Sequence, residues 1–362
     1  MKNFSNKIYL GVMSGTSFDA IDVCAILIEN KVSLLNFGSY KFPKRLQKNI
    51  SNVIQRQQLS INEYFKLNKN IGVSFAKAIN KFLDENNIHK DSVAAIGVSG
   101  QTLFHQPKGP YPYSIQAGDP KIVANMCEID VVSDFRNTHI ELGGEGAPLV
   151  PEFHHEIFAE KNIPLLVINI GGITNFTHID KNGDFVGSDC GPGNALMDIY
   201  CQRYLDLPFD KKGSIAKKGL VNYSCLNKMM AHPFFKKGYP KSTGKEIFNI
   251  EFIPKQLFKK SPNDVLATLS KLTALNLIRV INSKKFLSKK VIVCGGGIKN
   301  EFLIDSIQTQ SNIKILSSSS FGFDPQAIEA MAFGWMAKQR VCEIPLIVKN
   351  RKGLLGTIFK SM

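Results

Sequence analysis

The chain has 362 residues, enough for about two domains that each bury a core without disulfide or metal staples. Its 44% apolar and 21% charged residues exclude a disordered or fibrous chain, and no apolar run approaches the roughly 18 uninterrupted residues of a membrane-spanning helix. The net charge is +15, and the surplus is local: from Cys201 to Asn300 there are 20 Lys+Arg against 5 Asp+Glu, while the remainder is balanced. Those lysines fall as spaced doublets such as Lys211 with Lys212 and Lys284 with Lys285, the pattern of a solvated face. No nucleic-acid-binding motif accompanies them, so neither a nucleic-acid nor a membrane partner is expected. Seven scattered cysteines, an odd number without a C-x-x-C pair, argue for free thiols in a cytoplasmic protein. The first fifteen residues lack the pattern of a secretory signal.

In chain order, Ile8 to Met13 and Ile21 to Ile28 read as two strands of a hairpin around a Gly/Ser/Thr turn. Between Ser60 and Asn86, apolar side chains at Tyr64, Phe65, Leu67, Ile71, Phe75, Ile79 and Phe82 recur at three and four, one face of a helix. Ala94 to Val98 is a short buried strand. Leu165 to Ile170 is a wholly apolar strand that Gly171 and Gly172 break, Phe176 to Ile179 continues, and Lys181 to Asp184 turns. Leu266 to Ile281 reads as a helix, Lys290 to Val293 as a strand running into Gly295, Gly296 and Gly297, and Pro325 to Lys338 as a last helix. Each half therefore opens on a hairpin, and the alternation predicts an α/β chain of two related halves with mixed sheets.

Gly11-Val12-Met13-Ser14-Gly15-Thr16-Ser17-Phe18-Asp19 is the first stretch with chemical content. Glycines let backbone amides approach phosphate oxygens, small hydroxyls add donors, and Asp19 is placed to hold Mg²⁺ directly or through water; a tight turn with no ligand is the other reading. Further glycine turns follow apolar strands at 169–175, 188–194 and 294–300, and four such turns would line a cleft with amides for a polyphosphate. Residues 238–246 imitate a P-loop, but five residues separate the glycines and Glu246 follows Lys245, so that reading fails. His154 and His155 before Glu156 lack a second histidine four positions on, and no structural metal is expected. Gln101 with His105, Gln116 with Asp119, and Asp134-Phe135-Arg136 have the look of ligand contacts, Arg136 offering a fork to a carboxylate.

Taken in order, these stretches, with Gly143 to Val150, Pro240 to Asn249 and Asp324 to Ala337, resemble the anhydro-N-acetylmuramic acid kinases of the actin, Hsp70 and sugar kinase superfamily. The resemblance implies a two-lobed, ribonuclease H-like fold, with 1–135 plus 345–362 as one lobe, 136–344 as the other, and ATP and Mg²⁺ in the cleft between them. It implies a homodimer. It also implies that water opens the 1,6-anhydro bridge of the amino sugar while O6 takes the γ-phosphate, giving N-acetylmuramic acid 6-phosphate. By that resemblance ATP would meet Gly15, Thr16, Ser17, Phe18, Asp19, Ala20, Ile21 and Asp22, then Gly171, Gly172, Asn175, Gly191, Gly193 and Asn194, then Gly295, Gly296 and Gly297. Gln101, His105, Gln116, Asp119, Arg136 and Glu329 would meet the sugar, Arg136 pairing with its lactyl carboxylate. Asp189 matches the catalytic carboxylate. Independently, water attacks an anomeric carbon only slowly unless a positioned carboxylate takes its proton, and Asp189, opening a Gly-Pro-Gly turn, suits that task. Ser99, His139 and Glu145 stand where the family commonly has His, Asp and Gln. The rival readings are a same-fold kinase for another sugar and a silent nucleotide-binding protein.

Overall fold

A computed structural model describes residues 7–15, 18–244, 247–349 and 351–362. The chain divides into two compact units, Met1–Phe153 with Ala327–Met362, and His154–Gln326. The first unit opens with β1 (Ile8–Met13), β2 (Ala20–Ile28) and β3 (Val32–Lys41), an antiparallel meander rather than a two-stranded hairpin. The third strand escapes the sequence pattern because it mixes Ser33, Asn36, Gly38 and Ser39 with its apolar residues and is half exposed. α1 (Lys44–Arg56) and α2 (Ile61–Glu85) follow. The Ser60 hydroxyl caps the longer helix by accepting from Glu63 N–H, and Ile71, Phe75, Ile79 and Phe82 bury its apolar face against Leu10, Val12 and Val23.

β4 (Val93–Val98) lies parallel to β1, and the chain then leaves the sheet in a separate ribbon, β5 (Gln101–Gln106) with β6 (Tyr113–Ala117). α3 (Pro120–Cys127) and β7 (Val131–Ser133), parallel to β4, lead into α4 (Phe135–Glu141) and α5 (Pro151–Phe158).

The second unit repeats the scheme. β8 (Leu165–Ile170), β9 (Ile173–Ile179) and β10 (Phe185–Pro192) form an antiparallel meander. The helices α6 (Ala195–Tyr200), α7 (Tyr223–Met230), α8 (Pro233–Lys236) and α9 (Pro262–Ile281) follow. α9 is buried along most of its circumference, as its near-continuous apolar sequence requires. β11 (Lys290–Cys294) runs parallel to β8, α10 (Glu301–Gln308) crosses, and β12 (Ile315–Ser317) runs parallel to β11. The strand order is β10-β9-β8-β11-β12 here and β3-β2-β1-β4-β7 in the first unit. Both sheets therefore have the third-second-first-fourth-fifth order of a ribonuclease H-like fold, and the fold is α/β with mixed sheets.

The chain then returns to the first unit as α11 (Ile328–Val341), with β13 (Leu346–Val348) and β14 (Arg351–Gly353) preceding β15 (Thr357–Phe359), which pairs with β7. The unit boundary thus lies beyond 135 and the return begins before 345. α4 stays with the first sheet because Thr138 Oγ1 accepts from Gly356 N–H (2.9 Å), and α11 lies directly on β1 and β4. A Cβ on Gly11 would stand 1.8 Å from the Ala330 carbonyl oxygen, and one on Gly97 would stand 2.0 Å from that of Phe333. The two glycines, opposite each other in the sheet, form the seat of the helix. Among the described residues no helix is long and apolar enough to cross a membrane.

Candidate active site

In the second unit the polar end of the sheet is a row across four strands. Asp189 on β10 pairs with Asn175 on β9, Asn175 with Asn169 on β8, and Asn169 with Cys294 on β11, so the four side chains share one face. Asp189 lies within the strand rather than opening a turn. Pairing resumes at Gly191 and Pro192 beyond a bulge at Cys190. The Asp189 side chain is half-buried, its Oδ2 accepts the Thr243 N–H (2.9 Å), and its own N–H donates to the Lys241 carbonyl (2.9 Å). Beside it the buried Asn175 Oδ1 has no hydrogen-bond partner among the described residues; Thr174 Oγ1, also without one, lies on the other face of β9 against Gly193. Buried polar atoms normally find a partner, so Asn175 Oδ1 marks a place where a polar ligand would complete the bonding.

The glycine turns divide into two kinds. Gly193 N–H donates to the Gly172 carbonyl (2.9 Å) and Asn194 N–H to that of Gly171 (2.8 Å), while a Cβ on Gly193 would meet the Gly171 oxygen at 2.2 Å. The Gly193 and Asn194 amides thus lock the two turns together. Gly295 N–H is likewise taken by the Pro325 carbonyl (2.8 Å), and Gly297 is pressed against Ile170. Gly296 has open space where its Cβ would be, its nearest neighbour there being Gln326 Nε2 at 4.0 Å.

In the first unit Phe18 N–H closes a turn onto the Gly15 carbonyl (3.0 Å), and Phe18, at φ 44°, packs on the core. Thr16 and Ser17 lie outside the described residues. Asp19 is exposed, with Oδ1 accepting Ala20 N–H (3.1 Å), and Asp22 accepts the Ser39 hydroxyl (2.6 Å). The Ile21 side chain is in the core, and the half-exposed Ala20 pairs with Lys41 on β3. Gln101 is fully buried: its Oε1 accepts the Ser14 hydroxyl (2.7 Å) and its Nε2 donates to the Gly15 carbonyl (3.5 Å). Its Nε2 also donates to the Thr102 carbonyl (3.3 Å), so the side chain ties the start of β5 to the end of β1. Asp119 caps α3 by accepting Lys121 N–H (2.9 Å).

His105, Gln116 and Arg136 form one cluster. Ser114 Oγ joins His105 Nδ1 (3.0 Å) to Gln116 Nε2 (2.7 Å), Gln116 Oε1 accepts the Thr102 hydroxyl (2.9 Å), and Arg136 Nη1 donates to the Gly146 carbonyl (2.8 Å). Burial first, then the Arg136 charge, hold both His105 and His139 down at about 4. Both neutral imidazoles thus lie within electrostatic reach of the Arg136 guanidinium and of the Glu145 carboxylate. Next to this cluster a cavity of about 850 Å³ is walled by Tyr64, Phe65, Phe104, Tyr113 and Phe359 and edged by Ser114, Gln116, Asp134 and Asn137. Burial raises the Asp134 carboxyl, and burial with the Asp119 and Asp134 charges raises the Tyr64 hydroxyl. That side suits neutral hydroxyls and an amide rather than a carboxylate.

The anhydro-N-acetylmuramic acid kinase family model matches residues 7–360. The chain belongs to that family. Relatives named anhydro-N-acetylmuramic acid kinase include one from Gamma-proteobacterium EBAC31A08, 45% identical over 361 residues and covering 99% of both chains, and one from Vibrio cholerae, 37% identical and covering 98% of both. Among solved structures, component A of the (R)-2-hydroxyglutaryl-CoA dehydratase of Acidaminococcus fermentans is 14% identical, with TM-score 0.49 over 91% of this chain and 96% of that one. A ROK family glucokinase of Streptomyces griseus, in complex with glucose and AMPPNP, is 13% identical, with TM-score 0.44 over 92% and 99%.

Ser99, His139 and Glu145 each have a partner within the chain. The Ser99 hydroxyl donates to the Gly100 carbonyl (2.8 Å), His139 Nδ1 accepts Gly146 N–H (2.9 Å), and Glu145 pairs with Lys108 (3.2 Å). Glu329 is half-buried on the first turn of α11, beside the Ala330 that rests on Gly11. Sequence reasoning gave no site role to Thr243 and Lys241, which sit beside Asp189 although 54 and 52 positions away, nor to Tyr64, which it placed on the apolar face of a helix, nor to Asn137.

Two half-buried histidines and one buried one carry a stability prediction. His105 and His139 titrate at about 4 and the sealed His154, through burial, at about 3, each below its unfolded value of 6.5. As pH falls below 6.5 the unfolded chain takes up these protons before the native one does, so stability is full above 6.5 and declines down to about 4, with His154 contributing further to about 3. For His154 the loss is up to ~1.4 kcal/mol per pH unit. Melting temperatures measured from pH 7.5 to 5.0 should fall, and His154→Asn should flatten that dependence; an unchanged slope contradicts the assignment.

Proposed function

We propose that the chain acts on 1,6-anhydro-N-acetylmuramic acid by coupling hydrolysis of the anhydro bridge to phosphorylation. Asp189 accepts a proton from water as its oxygen attacks C1. The C1–O6 bond breaks, O6 attacks the γ-phosphorus of ATP, the bond to the β,γ-bridging oxygen breaks, and ADP leaves with N-acetylmuramic acid 6-phosphate as the other product. The observation that carries this reading is the Asp189 carboxylate itself: half-buried, aimed by the Thr243 amide and in line with the unsatisfied Asn175 Oδ1, rather than packed in hydrocarbon. Gly296 offers open backbone for a phosphate in the second unit, and the unsatisfied Asn175 Oδ1 beside Asp189 is an acceptor for a water or sugar hydroxyl.

Among the described residues no three His, Cys, Asp or Glu cluster, so a divalent ion would rest on one or two carboxylates plus nucleotide and water, which is how Mg²⁺ is commonly held. The exposed Asp19, with Asp22 on the same strand run, fits that donor set. Mg²⁺ bound there supplies neutralisation of phosphate charge.

Arg136 pairs with the lactyl carboxylate, and the aromatic cavity takes the neutral face of the sugar. Arg136→Ala is expected to raise the sugar KM roughly tenfold to a hundredfold, the range for losing a charged hydrogen bond, with the ATP KM unchanged. An unaltered sugar KM removes Arg136 from the site. The whole reaction is tested by mass spectrometry of the product formed from ATP, Mg²⁺ and the anhydro sugar in ¹⁸O water. One heavy oxygen on the anomeric carbon is expected, and a product without it overturns the coupling.

A further inference from the structure

Residues 238–244, which fail as a P-loop, pack against the strand that carries Asp189. Lys241 N–H donates to Ser188 Oγ (2.9 Å), and the Ser188 hydroxyl proton has the carbonyls of Asp189 (3.0 Å) and Lys241 (3.1 Å) in reach. The Lys241 carbonyl accepts Asp189 N–H, and two residues on Thr243 N–H holds the Asp189 carboxylate, each at 2.9 Å. The Lys241 side chain runs the other way into a box. Its Nζ donates to the carbonyls of Phe234 (3.0 Å) and Lys237 (3.2 Å) and lies 4.4 and 4.5 Å from the ring centroids of Phe234 and Tyr239.

Among the described residues Lys241 is the one buried lysine, only 7% exposed, in a stretch whose lysine doublets face solvent. Burying an ammonium is costly unless its donors are satisfied, and here two carbonyls and two ring faces do so, which fixes where the following residues run. We infer that Lys241 is a positioning residue: its anchored side chain pins the segment whose Thr243 amide aims the Asp189 carboxylate. This inference rests on reading Asp189 as the proton acceptor. Burial lowers the Lys241 amine, with Cys190 opposing and Arg279 and Lys237 reinforcing that shift, and Cys190 is itself held protonated by burial.

The test is Lys241→Met, which keeps the length and removes the donors. Turnover should fall about tenfold or more, the KM for ATP should stay within about twofold, and the acid limb of the kcat/KM profile should move up by roughly half a pH unit or more, because a loosened Thr243 amide no longer favours the charged carboxylate. Ser188→Ala should move the same quantities in the same direction by less, and it alone decides if Lys241→Met does not fold. An acid limb at its wild-type position, or an ATP KM that rises as turnover falls, overturns the inference. Asp189→Asn separates the two ideas. If that variant retains turnover, the proton-acceptor reading fails; if it is dead while Lys241→Met leaves the acid limb in place, only the positioning role fails.

Discussion

Asp189→Asn is expected to lower turnover about a hundredfold to ten-thousandfold, the usual contribution of a positioned general base, while nucleotide affinity stays within about twofold. The substitution isolates proton acceptance from architecture. An asparagine oxygen can still accept the Thr243 N–H, and the main-chain bond from position 189 to the Lys241 carbonyl does not depend on the side chain. What disappears is the basic carboxylate oxygen to which the proposed mechanism assigns the water proton. ADP release measured with the anhydro sugar, together with calorimetric titration of a non-hydrolysable nucleotide, gives both numbers. A variant that keeps more than about a tenth of wild-type turnover would remove Asp189 from the role.

Gly11→Ala is expected to be the most disruptive single methyl in the first unit. Its Cβ would meet three atoms of the α11 backbone, at 1.8, 2.7 and 2.8 Å, and a main chain cannot rotate aside as a side chain can. Overpacking of ordinary cores costs about 1–3 kcal/mol, and a contact with rigid backbone belongs at or above the top of that range. A loss near 3 kcal/mol corresponds to roughly 6–12 °C in melting temperature for a domain of this size. Gly238→Ala, where the added carbon has nothing within 4 Å, is the control and should change stability by less than about 0.5 kcal/mol. If Gly11→Ala melts normally but loses ATP affinity, the residue serves a phosphate rather than the helix.

This second prediction shows what the residue string does and does not disclose. The periodic apolar face of α2, the wholly apolar β8 and the glycine breaks after it are legible because burial imposes a simple spacing on them. Asp189 draws notice through the Gly-Pro-Gly that follows it, but its place inside β10 and its bond from Thr243, 54 positions on, leave no mark in the sequence. The function of each glycine is not legible: Gly11 and Gly193 look like amide cradles in one dimension, yet their missing Cβ atoms admit a helix and a carbonyl oxygen. The internal partner of Gln101 is hidden for a similar reason, since a polar residue after a strand carries no mark that its side chain meets the Ser14 hydroxyl. Lys241 was hidden twice, inside a basic stretch that otherwise faces solvent and inside a false nucleotide motif.

The late arrival of α11 bears on how the protein is made. β1 and β4 are synthesised early, yet the helix that sits on Gly11 and Gly97 emerges only after the whole of His154–Gln326. At about 5–20 residues per second, the ribosome leaves that apolar sheet face uncovered for on the order of ten seconds or more. During this interval the nascent chain offers a surface for chaperones or for aggregation. Shortening the carboxyl end into α11 would make that exposure permanent, so nonsense mutations late in the reading frame should be as damaging as early ones.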